Sequence, residues 1–170
     1  HGKKPITLYR FASAFMPVPR GDNWMTHFHG FWGAECTQDE EKLTNGQKVI
    51  SNKDGLANTE TDNPSFMLTM DGRPQEESGH VLGGTLAWTG TYLIKMDVHN
   101  TKFNMSAGIN EETSHYILEP DEIFTTPEFA MTYSTNGKGG VSRAFHRWAR
   151  EYKLNQGKRP RDILLNSWEG

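Results

Sequence analysis

Two histidines one residue apart, His27-Phe28-His29, place two imidazoles on one face wherever that stretch is extended, a spacing used by zinc and copper sites. No third ligand stands nearby, and His1, His80, His99, His115 and His146 are scattered, so the pair reads as polar strand positions rather than a metal site. The carboxylates Glu111-Glu112, Glu119, Asp121-Glu122 and Glu128 could supply acid/base chemistry. A glycosidase, however, needs two carboxyls about 5–9.5 Å apart on rigid supports flanking the scissile bond. Glu119-Pro120-Asp121-Glu122 instead has the composition of a proline-nucleated turn. Cys36 has no neighbouring base to make it a nucleophile. The glycine clusters Gly83-Gly84 and Gly137 to Gly140 lack the Lys-Ser/Thr signature of a phosphate loop. Trp168 differs from all of these. It ends an apolar run, Ile163-Leu164-Leu165-Asn166-Ser167-Trp168, that turns polar and aromatic at its close, as a buried parallel strand does where it delivers side chains to a site. Its flat apolar face suits the C–H face of a sugar or, equally, the cap of a hydrophobic core.

The elements that must position these residues are mostly strands. Extended runs are expected at Thr7–Phe11, Phe66–Met70, Leu82–Trp88, Tyr92–Val98, Lys102–Ile109, His115–Leu118 and Glu128–Tyr133, with Gly, Asn and Pro between them. Asp71-Gly72 marks a turn, and the pattern predicts a hairpin of Leu82–Trp88 with Tyr92–Val98. The fold class is mostly β, an antiparallel sandwich. The polar stretch from Glu35 to Pro64 reads as a hairpin-like excursion or a solvated surface loop. Past Gly139-Gly140, the residues Val141, Ala144, Phe145, Trp148, Ala149 and Tyr152 recur at helical spacing, which predicts a helix over 141–154 whose aromatic stripe packs in the core. A lone parallel strand cannot stand by itself, so the sequence is expected to break off as a second domain opens.

The 170 residues suffice for one domain, and an aromatic content of 11% offsets a modest apolar fraction of 35%. No run approaches the ~18 apolar residues of a membrane span, and no signal peptide is visible. One cysteine excludes an internal disulfide and favours a reducing compartment, the cytoplasm. Charge is uneven: +2 over residues 1–35, −9 over 36–140 and +4 over 141–170. The acidic middle argues against a nucleic-acid partner. Arg143, Arg147 and Arg150, at helical spacing, read as a solvated helix face.

Gly84-Thr85-Leu86-Ala87-Trp88-Thr89-Gly90 resembles the G-x-x-L-x-[YW]-S-G-N hairpin of glycoside hydrolase family 36, the α-galactosidases. The resemblance continues collinearly through Ala107-Gly108-Ile109-Asn110 and the run from Leu118-Glu119-Pro120 to Thr126-Pro127-Glu128. It then takes in Tyr133-Ser134, Ser142 to His146-Arg147, and Arg159-Pro160 into Leu165-Asn166-Ser167-Trp168-Glu169. Thr26 to Glu35, with Gly30, Trp32 and Glu35, is similar to the family's G-x-W-x-x-E stretch. The sequence departs at Thr91, where the family has Asn, and at Ser51 to Gly55, which replace a Ser-rich His/Asn segment.

What the resemblance implies is specific. Residues 1–138 would be part of a β-supersandwich, 139–160 a linker helix and connector, and 161–170 the start of a (β/α)8 catalytic barrel. The two catalytic Asp residues of a retaining mechanism would lie on later barrel strands, so no catalytic residue falls in this chain. Trp168 would wall the galactose subsite. The implied protein removes terminal α-linked galactose and assembles as a homo-oligomer; no cofactor and no metal site are expected in this chain, and its charge and composition point to no nucleic-acid or membrane partner. The competing expectation is a noncatalytic carbohydrate-binding or oligomerisation sandwich, with Trp24, Trp32 and Trp88 as a sugar platform. A related hydrolase with another α-sugar preference is the third.

Overall fold

The computed structural model describes residues 2–56 and 62–165. Its strands are β1 (Ile6–Leu8), β2 (Ala14–Pro17), β3 (Trp24–His29), β4 (Thr37–Lys42), β5 (Gly46–Asn52), β6 (Asp62–Thr69), β7 (Val81–Ala87), β8 (Tyr92–Val98), β9 (Phe103–Ile109), β10 (Tyr116–Leu118) and β11 (Glu128–Ser134). The helix α1 (Gly137–Trp148) follows, and a π-helical turn, Ala149–Lys153, extends it. A five-stranded sheet in the order β11-β7-β6-β3-β4 faces a four-stranded sheet, β2-β9-β8-β5, and β1 pairs with β10 in a small third sheet. Every pairing between these strands is antiparallel. The expected antiparallel sandwich is the fold observed.

Alternation sets the layers. On β8, Tyr92, Ile94, Met96 and Val98 are buried while Lys95 and Asp97 point outward. Phe103, Met105 and Ala107 of β9 and Ile50 of β5 join them, and Met25, Phe66, Leu68 and Leu86 meet them from the five-stranded sheet. A period of two with one apolar face is the pattern that buries one side of an antiparallel sheet.

Three expectations are corrected. Leu82–Trp88 and Tyr92–Val98 do not form a hairpin: β7 lies between β6 and β11, whereas β8 lies between β5 and β9. The link Trp88 to Thr91 crosses from one sheet to the other, because both strands bury apolar faces that meet across the core rather than edge to edge. The Trp88 amide turns back onto the Leu86 carbonyl at 2.9 Å, ending the ladder there. The polar excursion after Glu35 is largely strand rather than solvated loop. It contains β4 and β5, the outermost strands of the two sheets, joined by an arch at Leu43, which is buried. Their polarity reflects edge positions, where charged side chains keep an unpaired strand flank from recruiting another chain.

The helix, expected over 141–154, begins earlier, at Gly137, and its α geometry ends at Trp148. Gly137 has φ +64°, a left-handed conformation glycine adopts without a Cβ penalty, and a Cβ there would lie 2.6 Å from the Gln75 carbonyl oxygen. The first helical amides are satisfied by the preceding loop: Gly137 donates to Gly79 O (3.2 Å), Lys138 to Gln75 O (3.0 Å) and Gly139 to Glu76 O (2.9 Å). The glycines that read as a break are the docking surface of the helix start. The π turn shifts the helical register, and Tyr152 leaves the apolar stripe for solvent.

Gly83 and Gly84 set how close the layers come. On the outer face of β7, a Cβ on Gly83 would fall inside the van der Waals surface of Val141 and lie 2.9 Å from Phe145, both on α1. On the inner face, a Cβ on Gly84 would sit 2.6 Å from Phe66 and 2.7 Å from Phe129. Gly83→Val should therefore undock α1 and cost on the order of 1–3 kcal/mol by overpacking. Urea denaturation with amide hydrogen exchange checks this; the α1 amides should lose protection while those of β8 and β9 keep it.

Candidate functional site

The two histidines of β3 stand where the strand is irregular: its register with β6 shifts between His27 and His29. Their rings lie 6.0 Å apart, and each faces carboxylates of its own. His29 Nε2 is 2.9 Å from Asp39 Oδ2, while His27 Nε2 is 3.4 Å from Glu41 Oε1 and its Nδ1 is 3.9 Å from Asp62 Oδ1. Lys48, reaching over from β5, meets the same Glu41 oxygen at 2.6 Å. Among the described residues, no three His, Cys, Asp or Glu side chains are arranged to hold a metal ion. The cluster is a polar seam between the sheets, with His27 only 6% exposed.

The acidic residues that could act as acid and base are held apart, each by its own partner. Lys95 binds Glu111 at 2.5 Å with Arg10 3.7 Å away, Lys53 binds Glu112 at 2.6 Å, and Lys153 binds Glu128 at 2.5 Å. Glu122 accepts from the Glu119 amide at 2.8 Å and from the Tyr116 hydroxyl, which closes the turn around Asp121. The Tyr116 and Glu119 donors hold the Glu122 carboxyl below its ordinary range. That is turn chemistry, as the proline spacing predicts. Cys36 is exposed at φ +58° in the β3–β4 connection.

The three tryptophans do not converge. Trp24 opens β3 under the Arg73 guanidinium (5.8 Å to the ring centroid), while Trp32 follows the opposite end of that strand and is 79% exposed. Trp88 follows β7, whose end lies toward the Trp32 side of the sheet.

Helix α1 lies on the outer face of β7 and β11 without filling the space above β6 and β3. A cleft of about 400 Å³ remains, lined by Phe28, Met67, Phe145 and Trp148 among others. Lys138 anchors the helix to Glu40 of β4, with the Arg73 guanidinium 3.7 Å from the other oxygen of that carboxylate. Lys153 caps Trp148 at 5.1 Å from the ring centroid. From there a connector runs to Ile163, Leu164 and Leu165, whose side chains are exposed and which belong to no strand. They are not packed into the sandwich. Trp168, with the rest of the run expected as a first barrel strand, lies outside the described residues. The sequence reading missed the Lys138–Glu40–Arg73 anchor, because those three positions are joined only by the fold.

Burial holds His27 below the ordinary imidazole pKa, and the positive charge of Lys48 pushes the same way; Asp62, Glu41 and Asp39 oppose both. The folded form therefore resists protonation while the unfolded chain takes a proton near about pH 6.5. Stability from this group is present above that pH and drains away as pH falls toward the folded value. The urea midpoint should drop between pH 7.5 and 5.5, and His27→Gln should flatten that slope.

Residues 1–119 match the family model described as the glycosyl hydrolase family 36 N-terminal domain. Over 172 residues and 99% of its length the chain is 31% identical to alpha-galactosidase AgaA of Geobacillus stearothermophilus. Over 174 residues it is 30% identical to alpha-galactosidase Mel36A of Lactobacillus acidophilus. It spans 23% of each of these relatives. The crystal structure of the Geobacillus enzyme superposes with a TM-score of 0.91 over 99% of this chain and 24% of its own, at 29% identity. Variants of that enzyme have been crystallised with stachyose and with raffinose. The family match covers most of the sandwich just described and the structural likeness covers nearly all of it: the chain belongs to glycosyl hydrolase family 36, with residues 1–119 matching its N-terminal domain.

Proposed function

We propose that these residues are part of an α-galactosidase, a retaining glycoside hydrolase that removes terminal α-linked galactose from oligosaccharides through a covalent glycosyl-enzyme intermediate. The observation that carries this reading is similarity to proteins named as α-galactosidases along 99% of the chain, well past the 119 residues of the family match. On this reading residues 1–138 are sandwich, 139–160 are the linker helix and connector, and 161–170 open a catalytic barrel that carries the two Asp residues. Such a barrel takes about 250 residues. The exposed side chains of Ile163, Leu164 and Leu165 fit this reading, since a barrel strand is buried only when its neighbours flank it. The sandwich contributes no acid/base pair, in keeping with carboxylates that each hold a separate cation or turn.

Trp168 is the one residue here assigned to the substrate, as the apolar wall of the galactose subsite. The longer protein works as a homo-oligomer in the cytoplasm, without cofactor, nucleic acid or membrane.

The 170-residue chain alone should give no turnover of an aryl α-galactoside; measurable hydrolysis would overturn the assignment of the catalytic pair to the barrel. In the longer protein, Trp168→Ala should raise KM for the same substrate about tenfold, on the order of 1.4 kcal/mol of binding, with retention of anomeric configuration unchanged. Steady-state kinetics and NMR of the first-formed sugar anomer check both.

A further inference from the structure

The outer face of the four-stranded sheet carries a trough of about 550 Å³, on the opposite side of the sandwich from α1. One wall is the segment Arg10 to Ala12, which crosses directly over Gly108: a Cβ there would lie 3.1 Å from Phe11 O and from Ala12 Cα. The crossing is pinned by the Ser13 amide, which donates to Ala107 O at 2.8 Å. Leu93 and Gly108 make an apolar floor. Strand register then sets the rim: Phe15, Ser106, Lys95 and Val49 form one row across the sheet, and Asp97 and Gln47 stand opposite each other in the next. Phe15 is 71% exposed, with its ring presented to solvent beside these polar groups.

The chemistry of this trough is selective. Arg10 and Lys95 balance Glu111 and Asp97, so there is no net charge to select a phosphate or a cation. The rim offers donors and acceptors together. Lys95 Nζ is 2.5 Å from Glu111 Oε1, and Gln47 Nε2 donates to Asp97 Oδ1 at 3.3 Å, so ammonium, amide and carboxylates are held in place beside the Ser106 hydroxyl. A neutral polyol needs that arrangement, because each hydroxyl donates one hydrogen bond and accepts others. An exposed aromatic ring beside such groups provides the flat surface on which the C–H face of a pyranose rests. With strands about 4.8 Å apart, the row from Phe15 to Val49 spans roughly 14 Å, long enough for a short chain of sugar rings.

We propose that this trough binds a neutral oligosaccharide, with Phe15 as the stacking platform and Lys95, Asp97, Gln47 and Ser106 as its hydrogen-bonding groups. The proposal goes beyond the hydrolytic reading and does not rest on it, since a chain that turns nothing over can still bind sugar here.

The test is a titration of the isotope-labelled 170-residue chain with raffinose, followed by amide chemical shifts, and with inorganic phosphate in parallel. Saturable shifts at Phe15, Gln47, Lys95 and Ser106 are expected, at low and high salt alike. Phe15→Ala should weaken binding about tenfold, the value of a lost aromatic contact. Lys95→Met and Asp97→Asn should each weaken it several-fold, while Trp32→Ala, on the other sheet, should leave it unchanged. Each variant's own spectrum reports that it is folded. Four results would each overturn the proposal: no saturation with raffinose, shifts confined to Trp32 and Trp88, a response to phosphate alone, or undiminished binding by Phe15→Ala with Lys95→Met.

Discussion

Two adjacent glycines govern how the layers of this molecule meet. Successive residues of a strand face opposite ways, so Gly83 and Gly84 remove a side chain from both faces of β7 at one level. Val141 and Phe145 of α1 settle into the space on one side, Phe66 and Phe129 into the space on the other. The rest follows in order. Because α1 sits directly on the sheet, its first amides reach the carbonyls of residues 75 to 79, and Lys138 reaches Glu40 on the far edge strand. The end of the helix, and the direction in which the chain leaves it, are fixed by that seat. A dipeptide that the sequence shows only as two glycines inside a strand is here the packing contact that seats α1 on the sheet.

How much of this was legible beforehand depended on where each strand lies in its sheet. Central strands such as β8 carry unmixed apolar faces, and their bounds could be read almost to the residue. Edge strands β4 and β5 present charge, because solvent rather than a neighbour covers one flank, and so they imitate a surface loop. Partners across a sandwich leave no trace in local periodicity, so β7 and β8 could be recognised as strands and still be paired wrongly. The start of α1 was hidden for a related reason: Gly137 is explained only by backbone from residues 75 and 76, some sixty positions earlier.

The site divides differently. The turn at Glu119 to Glu122 was legible, since proline spacing and a local carboxylate suffice to define it. The histidine pair was placed on a strand correctly, but not its separate carboxylates, which come from β4 and β6. The trough on the four-stranded sheet could not be seen at all. Its members alternate with inward-facing residues on four strands and stand in adjacent rows only once the register is known. A faint signal exists in Lys95-Met96-Asp97 and Asn104-Met105-Ser106, polar residues flanking a buried methionine on neighbouring strands.

The uneven charge along the chain finds its account in the same geometry. An acidic middle and a basic end could signal two external partners, yet two basic residues of the end pair with acidic residues of the middle, Arg143 with Glu77 and Lys153 with Glu128, and Lys138, just before the end, pairs with Glu40. These contacts are unequal. Arg143 and Lys153 are solvated, and exposed pairs of that kind contribute about 0–1 kcal/mol. Lys138 and Glu40 are largely covered, and removing either would strand a charge under the helix. The complementarity is therefore chiefly a matter of register: charge selects which face of α1 turns to the sheet, and the close approach over Gly83 supplies the packing that holds it there.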